Sequence, residues 1–426
     1  PLPKQITCVK EAMLSGEFYG FFNNFNTKFN LHTNIGNVFF NGALNNNLLL
    51  APKPYYFLKA HANNVKLGEV LDLDDDLVAT MMLEVSGEGL AKKDVDLEMS
   101  LDIEKLFALN KEFKDLYVVA DMENQRIITS SNINSNILNA ELNALLDVSK
   151  KEPSFDVKLD LKKADLYKLG LVKKDETMIL STKLNANLRG TDVDKMYGDI
   201  ALNKTSLRDG RGYYIMDSLN LVLTENHFNS KNVKLDCDFF DLEINGIFNF
   251  RNIGNTFKNY VLNYFHINKW TEKGIRLNDE NQDFYLSLNF KNTAPLSQFF
   301  LPNLKVSDNT VFTATFTSSN YKLHSTLESD LIMYNKFVFT DLYVKNKTDR
   351  NKTTANVSLK EIVFKEATEK NPVRLGLDNF AVHFDAHNDT LFMNLSWDEI
   401  AENDNNKGDL QATFLPHVGG GELRLL

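Results

Sequence analysis

The feature of this sequence that most restricts its fold is an alternation of apolar and polar residues with a period of two. Val95, Leu97, Met99, Leu101 and Ile103 are separated by Asp96, Glu98, Ser100 and Asp102. An extended chain with that pattern has one greasy side and one acidic side. The spacing recurs in Val157, Leu159 and Leu161, in Leu180, Leu184 and Leu188, and in Leu219, Leu221 and Leu223. It returns in Phe284, Leu286, Leu288 and Phe290, and again in Leu391, Met393, Leu395 and Trp397. Each run reads as a half-buried β-strand. About fifty asparagines supply residues suited to the turns between such strands.

Parity changes mark where strands must bend or reverse. The apolar set Val233, Leu235, Cys237 and Phe239 gives way to Leu242, Ile244, Phe248 and Phe250, which places a bulge or tight reversal at Phe239 and Phe240. A second change separates Leu375 and Leu377 from Phe380, Val382 and Phe384, and Asp378 and Asn379 between them suit a turn. Short turns imply antiparallel pairing.

Helical spacing is rare. Phe257, Tyr260, Val261, Tyr264 and Phe265 form one amphipathic stripe about three turns long. Shorter helices are expected at Ile103 to Phe113, at Ala164 to Leu169 before Gly170, and at Leu296 to Leu301 between Pro295 and Pro302. These are inserts and make no layer.

At roughly 12 residues per strand and turn, the chain holds on the order of 25 to 35 strands, too many for one sandwich. No repeat of fixed period accompanies them, so a regular β-helix or propeller lacks its signature. The expected fold is all-β: an elongated, curled antiparallel sheet with a few short helical inserts. Residues 1–150 form its N-terminal part and residues 151–426 its continuation, with no sharp boundary.

Several chemistries are excluded by composition or spacing. Lys and Arg number 47 against 57 Asp and Glu, for a net charge of −10 with no basic stripe, so nucleic acid is not an expected partner. The two cysteines, Cys8 and Cys237, cannot build a thiolate zinc site. His383 and His387 fall in a strand-like stretch, where four residues span about 13 Å, too far for one ion. Asp72, Asp74, Asp75 and Asp76 lack the glycine and closing glutamate of a calcium loop and read as a solvated turn. The glycines Gly419, Gly420 and Gly421 precede no helix start and read as a flexible connection, and acceptor-type triplets such as Asn346-Lys347-Thr348 are expected by chance in so Asn-rich a chain. No nucleophile elbow, phosphate loop or dinucleotide fingerprint occurs, so neither enzyme nor cofactor is expected. The longest apolar runs, such as Leu48 to Ala51 and Tyr55 to Leu58, fall far short of the ~18 to 20 residues of a membrane span. The start at Pro1, with no signal-like segment, reads as a piece of something longer.

From about Phe155 onward the chain resembles the TamB family, the translocation and assembly module proteins of the AsmA-like group. The segments that carry the resemblance are Val157 to Leu161, Ala164 to Leu171, Phe284 to Phe290, Pro295 to Pro302 and Tyr334 to Leu342. It implies a long curled sheet with a greasy groove, the β-taco, held in the inner membrane of a diderm bacterium and crossing the periplasm. It also implies transfer of phospholipid to the outer membrane and support of outer-membrane protein assembly with a BamA/TamA-like barrel. The anchor and the completed partner-binding end are expected outside this piece.

Strands with one apolar face must bury it, and without a helical layer the sheet either closes on itself or carries something greasy. A closed array is a structural spacer; an open groove suits acyl chains. The residues expected to line the groove are Leu180, Leu184, Leu188, Leu219, Leu221 and Leu223, then Leu235, Phe239, Leu242, Ile244 and Phe248. Phe284, Leu286, Leu288 and Phe290 continue the lining, and Leu391, Met393 and Leu395 end it. In the alternative reading, the sheet holds client β-strands of outer-membrane proteins by strand addition and carries no lipid.

Overall fold

The computed structural model describes residues 8–46, 53–71, 77–91, 93–108, 111–173, 175–225, 230–256, 260, 282–301, 303–320, 322–349, 352–365, 375–387, 390–399, 407–417 and 420–425. The structure is 74% strand and 5% helix, and the 25 strands among the described residues belong to one antiparallel sheet that is not closed. The chain divides into two units, Pro1–Thr191 with Gly198–Asp217 and Asp192–Tyr197 with Ser218–Leu426.

In the first unit the strands are β1 (Ala12–Phe21), β2 (Asn24–Thr33), β3 (Gly36–Asn45), β4 (Tyr55–Lys66), β5 (Val78–Glu88) and β6 (Asp96–Ala108). They continue as β7 (Lys111–Glu123), β8 (Arg126–Asn134), β9 (Leu138–Asp147), β10 (Ser154–Asp165) and β11 (Ile179–Arg189), followed by β12 (Tyr197–Arg208). From β1 to β11 every strand pairs antiparallel with the next. Local chemistry explains the meander. Asn124 and Gln125 join β7 to β8 with φ of 51° and 62°, the left-handed pair that a two-residue hairpin turn requires. Of the nine non-glycine residues with positive φ among the described residues, five are asparagines, so the Asn-rich composition serves the backbone directly. A single short helix, α1 (Leu67–Leu71), follows β4.

Two sequence expectations change here. Residues 103–108 belong to β6 and residues 111–113 to β7, because the two strands pair with each other here and β6 pairs with β5 as well. Ala164 and Asp165 end β10, and residues 166–170 form a turn closed by Leu169 N–H to Asp165 O at 2.9 Å, with Gly170 at φ 76° stopping further winding.

The longer stretch of the second unit begins within β13 (Tyr213–Glu225) and continues through β14 (Lys231–Cys237), β15 (Phe240–Ile247) and β16 (Asp283–Phe290). Next come α2 (Ala294–Phe300), β17 (Leu304–Val306), β18 (Val311–Thr317), the 3₁₀ turn Ser318–Asn320 and β19 (Lys322–Tyr334). The last strands are β20 (Phe337–Asp349), β21 (Lys352–Lys365), β22 (Leu375–His387), β23 (Thr390–Glu399), β24 (Lys407–His417) and β25 (Gly420–Leu425). Strand β16 pairs with β18, while β17 lies beside β19. The expected helix near Leu296 is α2, with Pro295 in its first turn.

The reversal at Phe239 is a tight hairpin between β14 and β15. Asp378 and Asn379 make no turn. They lie inside β22, where the register slips between Asp378 and Ala381 and Asn379 has φ of 50°. β21 and β23 pair with β22 on either side of this point, so the extra residue is absorbed as a β-bulge. Gly420 and Gly421, expected as a connection, pair with His417 and Pro416 in β24. Of the helical stripe at Phe257 to Phe265, only Tyr260 lies within the described residues and it is helical, as are residues 253–256. Asp72 to Asp76 and Gly419 lie outside the described residues. No helix among the described residues is long and apolar enough to cross a membrane.

Candidate apolar binding face

Residues directly opposite in adjacent strands share a face, so the register converts the alternation into rows. In the first unit Leu14, Leu31, Val38, Ala62 and Met81 follow one another from β1 to β5. Ile103, Leu116, Ile133, Ala140 and Leu161 extend that row to β10. The next row on the same face runs Phe29, Phe40, Ala60, Leu83, Leu101 and Val118, then Ser131, Leu142, Leu159 and Leu184. Neither row contains an ionisable side chain.

The other face differs in kind. Its matching row is Ser15, Asn30, Phe39, His61, Met82, Asp102, Tyr117, Asn132, Glu141, Asp160 and Lys183. Cross-strand ion pairs such as Lys59–Glu84 and Lys183–Asp160, the latter at 3.0 Å, lie on this side. Bulges keep the two faces separate where the strands drift. In β4 the register slips between Ala62 and Val65, with Asn64 at φ 49°, and both Ala62 and Val65 stay buried.

The same construction holds in the second unit. Leu221, Leu235, Leu242, Leu288, Phe312 and Leu327 form one row, which continues through Val344, Val357, Val382, Leu395 and Leu410. Beside it stand Leu223, Val233, Ile244, Leu286 and Ala314 and, after the polar pair Ser325 and Asn346, Ala355, Phe384, Met393, Ala412 and Leu425.

Most of the expected lining residues take places in these rows or next to them. Leu180, Leu184 and Leu188 face Ala164, Leu159 and Phe155, and Leu219 faces Cys237. Phe284 lies between Gly246 and Phe316, and Leu391 between Ala386 and Phe414. Phe239 is buried in the hairpin turn, and it is Phe240 that stands in the ladder opposite Phe290. Phe248 follows β15 and is 3% exposed.

At the C-terminal end of the face lies an open hollow of about 430 Å³, lined by Val357, Phe380, Val382, Phe384, Met393, Leu395, Leu410, Ala412, Leu423 and Leu425. Every lining residue is apolar, and the volume falls within the range of ligand-binding clefts. Met393 and Leu395 were legible as lining from the alternation, and Val382 and Phe384 carried the same signal.

Part of the face is covered. Val233, Ile244, Phe248, Tyr260, Phe284 and Phe316 form a buried cluster against which Leu221, Leu223, Leu242, Phe250, Ile253 and Leu286 pack. Phe248, Phe250, Ile253 and Tyr260 come from the excursion between β15 and β16, so the sheet is not bare there.

Polar chemistry gathers at the turns. Asp147 is 5% exposed at its side chain and accepts from Ser149 N–H at 3.1 Å and from Arg126 Nε at 3.2 Å. The Ser149 hydroxyl and N–H together hold its carboxyl below the usual range, against the opposing effect of burial. Asp209 is fastened the same way by Arg211 and Gly212. His383 Nδ1 is 2.7 Å from Asn356 Oδ1 on the polar face, and His387 Nδ1 is 2.9 Å from Asp385 Oδ1. No group of three or more metal-ligating side chains is assembled among the described residues.

What fold and face define is an open all-β sheet with one predominantly apolar side in each unit. Comparison with protein-family models, with curated proteins and with solved structures finds nothing that matches the chain.

Proposed function

We propose that this chain is a segment of a lipid-transfer bridge of the TamB type, in which phospholipid acyl chains travel along the apolar face from the inner to the outer membrane. The observation that carries this reading is the apolar row kept in register through ten consecutive strands of the first unit, without one ionisable side chain. A row of apolar side chains with no helical layer over it suits an apolar ligand. Each methylene held there gains about 0.8 kcal/mol over water, and the gain is the same at every step of the row, so a tail can advance without meeting water.

In this reading the protein works in the periplasm, is held in the inner membrane by an anchor outside this piece, meets a BamA/TamA-like barrel at the outer membrane and supports protein assembly there. Photo-crosslinkers at Leu159 and Leu395, compared with Lys158 and Asn394 on the opposite face, test the lipid part. Phospholipid attached mainly from the first pair supports it; equal attachment from both faces removes it.

A second reading rests on β1, which is exposed along its whole length from Ala12 to Phe21. An open edge of ten residues is a template for strand addition, as an assembly factor or structural β-spacer holding client strands without lipid would need. Crosslinks from β1 to outer-membrane proteins, with no lipid on the apolar face, would favour it.

A further inference from the structure

The excursion between β15 and β16 places four apolar side chains on the very face assigned to the lipid. Phe248 packs edge-to-face against Phe250 and Phe284, at centroid distances of 5.2 and 6.0 Å, and Tyr260 meets Phe316 at 5.9 Å. The excursion is pinned at its root. Phe250 N–H donates to Asp194 Oδ1 at 2.6 Å, Arg251 Nη2 lies 3.0 Å from Asp192, and Asn249 N–H donates to the Oε1 of the buried Gln282 at 3.0 Å.

Among the described residues a polar contact fastens it as well. Tyr260 Oη and Thr348 Oγ1 share a hydrogen bond of 2.7 Å, although the residues are 88 apart in sequence. Thr348 Oγ1 lies 3.0 Å from Thr353 Oγ1, which donates to Asn346 Oδ1 at 3.1 Å, and Asn346 Nδ2 donates to Leu323 O at 3.1 Å. The face thus carries a hydroxyl and amide chain where the phenol lands. Apolar packing alone does not select one position, whereas this chain does, and a hydrogen bond between neutral groups is weak enough to be released.

We propose that the described residues 248–256 and Tyr260 are a built-in occupant of the apolar face, latched by the Tyr260–Thr348 bond, which an incoming alkyl chain must displace to reach Phe284, Leu286 and Phe316. The proposal rests on the lipid reading for its ligand but not for the latch itself, and two readouts on the full chain keep these apart.

In the first, a single cysteine replaces Leu286 in a Cys8→Ser, Cys237→Ser background and is labelled with a maleimide in the absence of lipid. Tyr260→Phe and Thr348→Val are expected to raise the labelling rate about five-fold. In the second, a photo-crosslinker at position 286 or 395 is exposed to phosphatidylethanolamine and phosphatidylglycerol vesicles. The same variants should increase lipid capture at 286 and leave capture at 395 unchanged. Unchanged maleimide labelling in both variants overturns the latch. High lipid capture at 286 in the unaltered chain, with no rise in the variants, overturns the competition. Absence of lipid at both positions in every variant defeats the lipid reading and the competition with it, while the maleimide rates still decide the latch.

Discussion

Gly246 stands opposite Phe284 in the β15–β16 ladder at φ 143°, and a Cβ at Gly246 would lie 2.2 Å from the carbonyl oxygen of Asp283. The close approach lets the chain hold Phe284 in the buried cluster. Gly246→Ala is expected to lower the stability of the second unit by about 2 kcal/mol or more. Gly254→Ala is the opposite case, since Gly254 is helical with open space around its Cα, and it should gain about 0.5 to 1 kcal/mol. Urea unfolding followed by far-UV circular dichroism should shift in opposite directions for the two; shifts of the same sign would refute the comparison.

Asp209 makes acid sensitivity testable. Burial opposes its ionisation, but the Arg211 side chain at 2.7 Å and the N–H groups of Arg211 and Gly212 at 2.8 and 3.0 Å outweigh it, so its pKa lies below the ordinary range. A carboxyl whose pKa is lower folded than unfolded contributes stability fully above the unfolded value of about 3.9 and loses it as pH falls through the folded value. Asp209→Asn should therefore have a lower urea midpoint than the unaltered chain at pH 7, with the gap narrowing as pH falls below about 4. A gap of constant size across that range would count against this account.

Charge on the apolar face should block passage while charge on the other face should not. Leu395 faces Val382 and Leu410, and its neighbour Asn394 faces His383 and Gln411. By analogy with lipid-facing barrel positions, Leu395→Arg should raise the local cost by about 2 to 4 kcal/mol, a slowing of roughly 30- to 1000-fold. Asn394→Arg places the same charge in water. Lipid transfer between vesicles, measured on variants with unchanged circular dichroism, should separate them; equal rates would argue for a spacer.

The bulge in β22 depends on Asn379 at φ 50°. Asn379→Val puts a β-branched residue in the left-handed region and should cost about 1 to 2 kcal/mol, whereas Asn379→Gly should be nearly neutral. Thermal melts of the two variants provide the check, and an equal loss in both would show that the side chain matters more than the backbone angle.

Much of this fold was written locally. The run from Leu97 to Ile103 became β6, and Phe284 to Phe290 became β16, because a period of two is a property of consecutive residues and needs no partner to be read. The same alternation puts Leu221 and Leu288 on the apolar side of their strands, and Met393 and Leu395 on that of theirs, without reference to any pairing. Where the pattern is broken, local reading fails. Ile103 to Phe113 looks helical by spacing, but its described residues are drawn into the sheet because β6 pairs with both β5 and β7, and Asp378-Asn379 looks like a turn although β21 and β23 pair on either side of it. Phe239 and Phe240 have the same side chain, and only the hairpin register decides which enters the ladder opposite Phe290. The meeting of Tyr260 with Thr348 lies further still from local information, since it depends on how β16, β18 and β19 stack between β15 and β20 in space. Sequence alone determined that this chain makes strands with one apolar side, because alternation is local. Tertiary structure decided which parts of that side stay open and which are covered, because burial is settled by contacts between residues far apart along the chain.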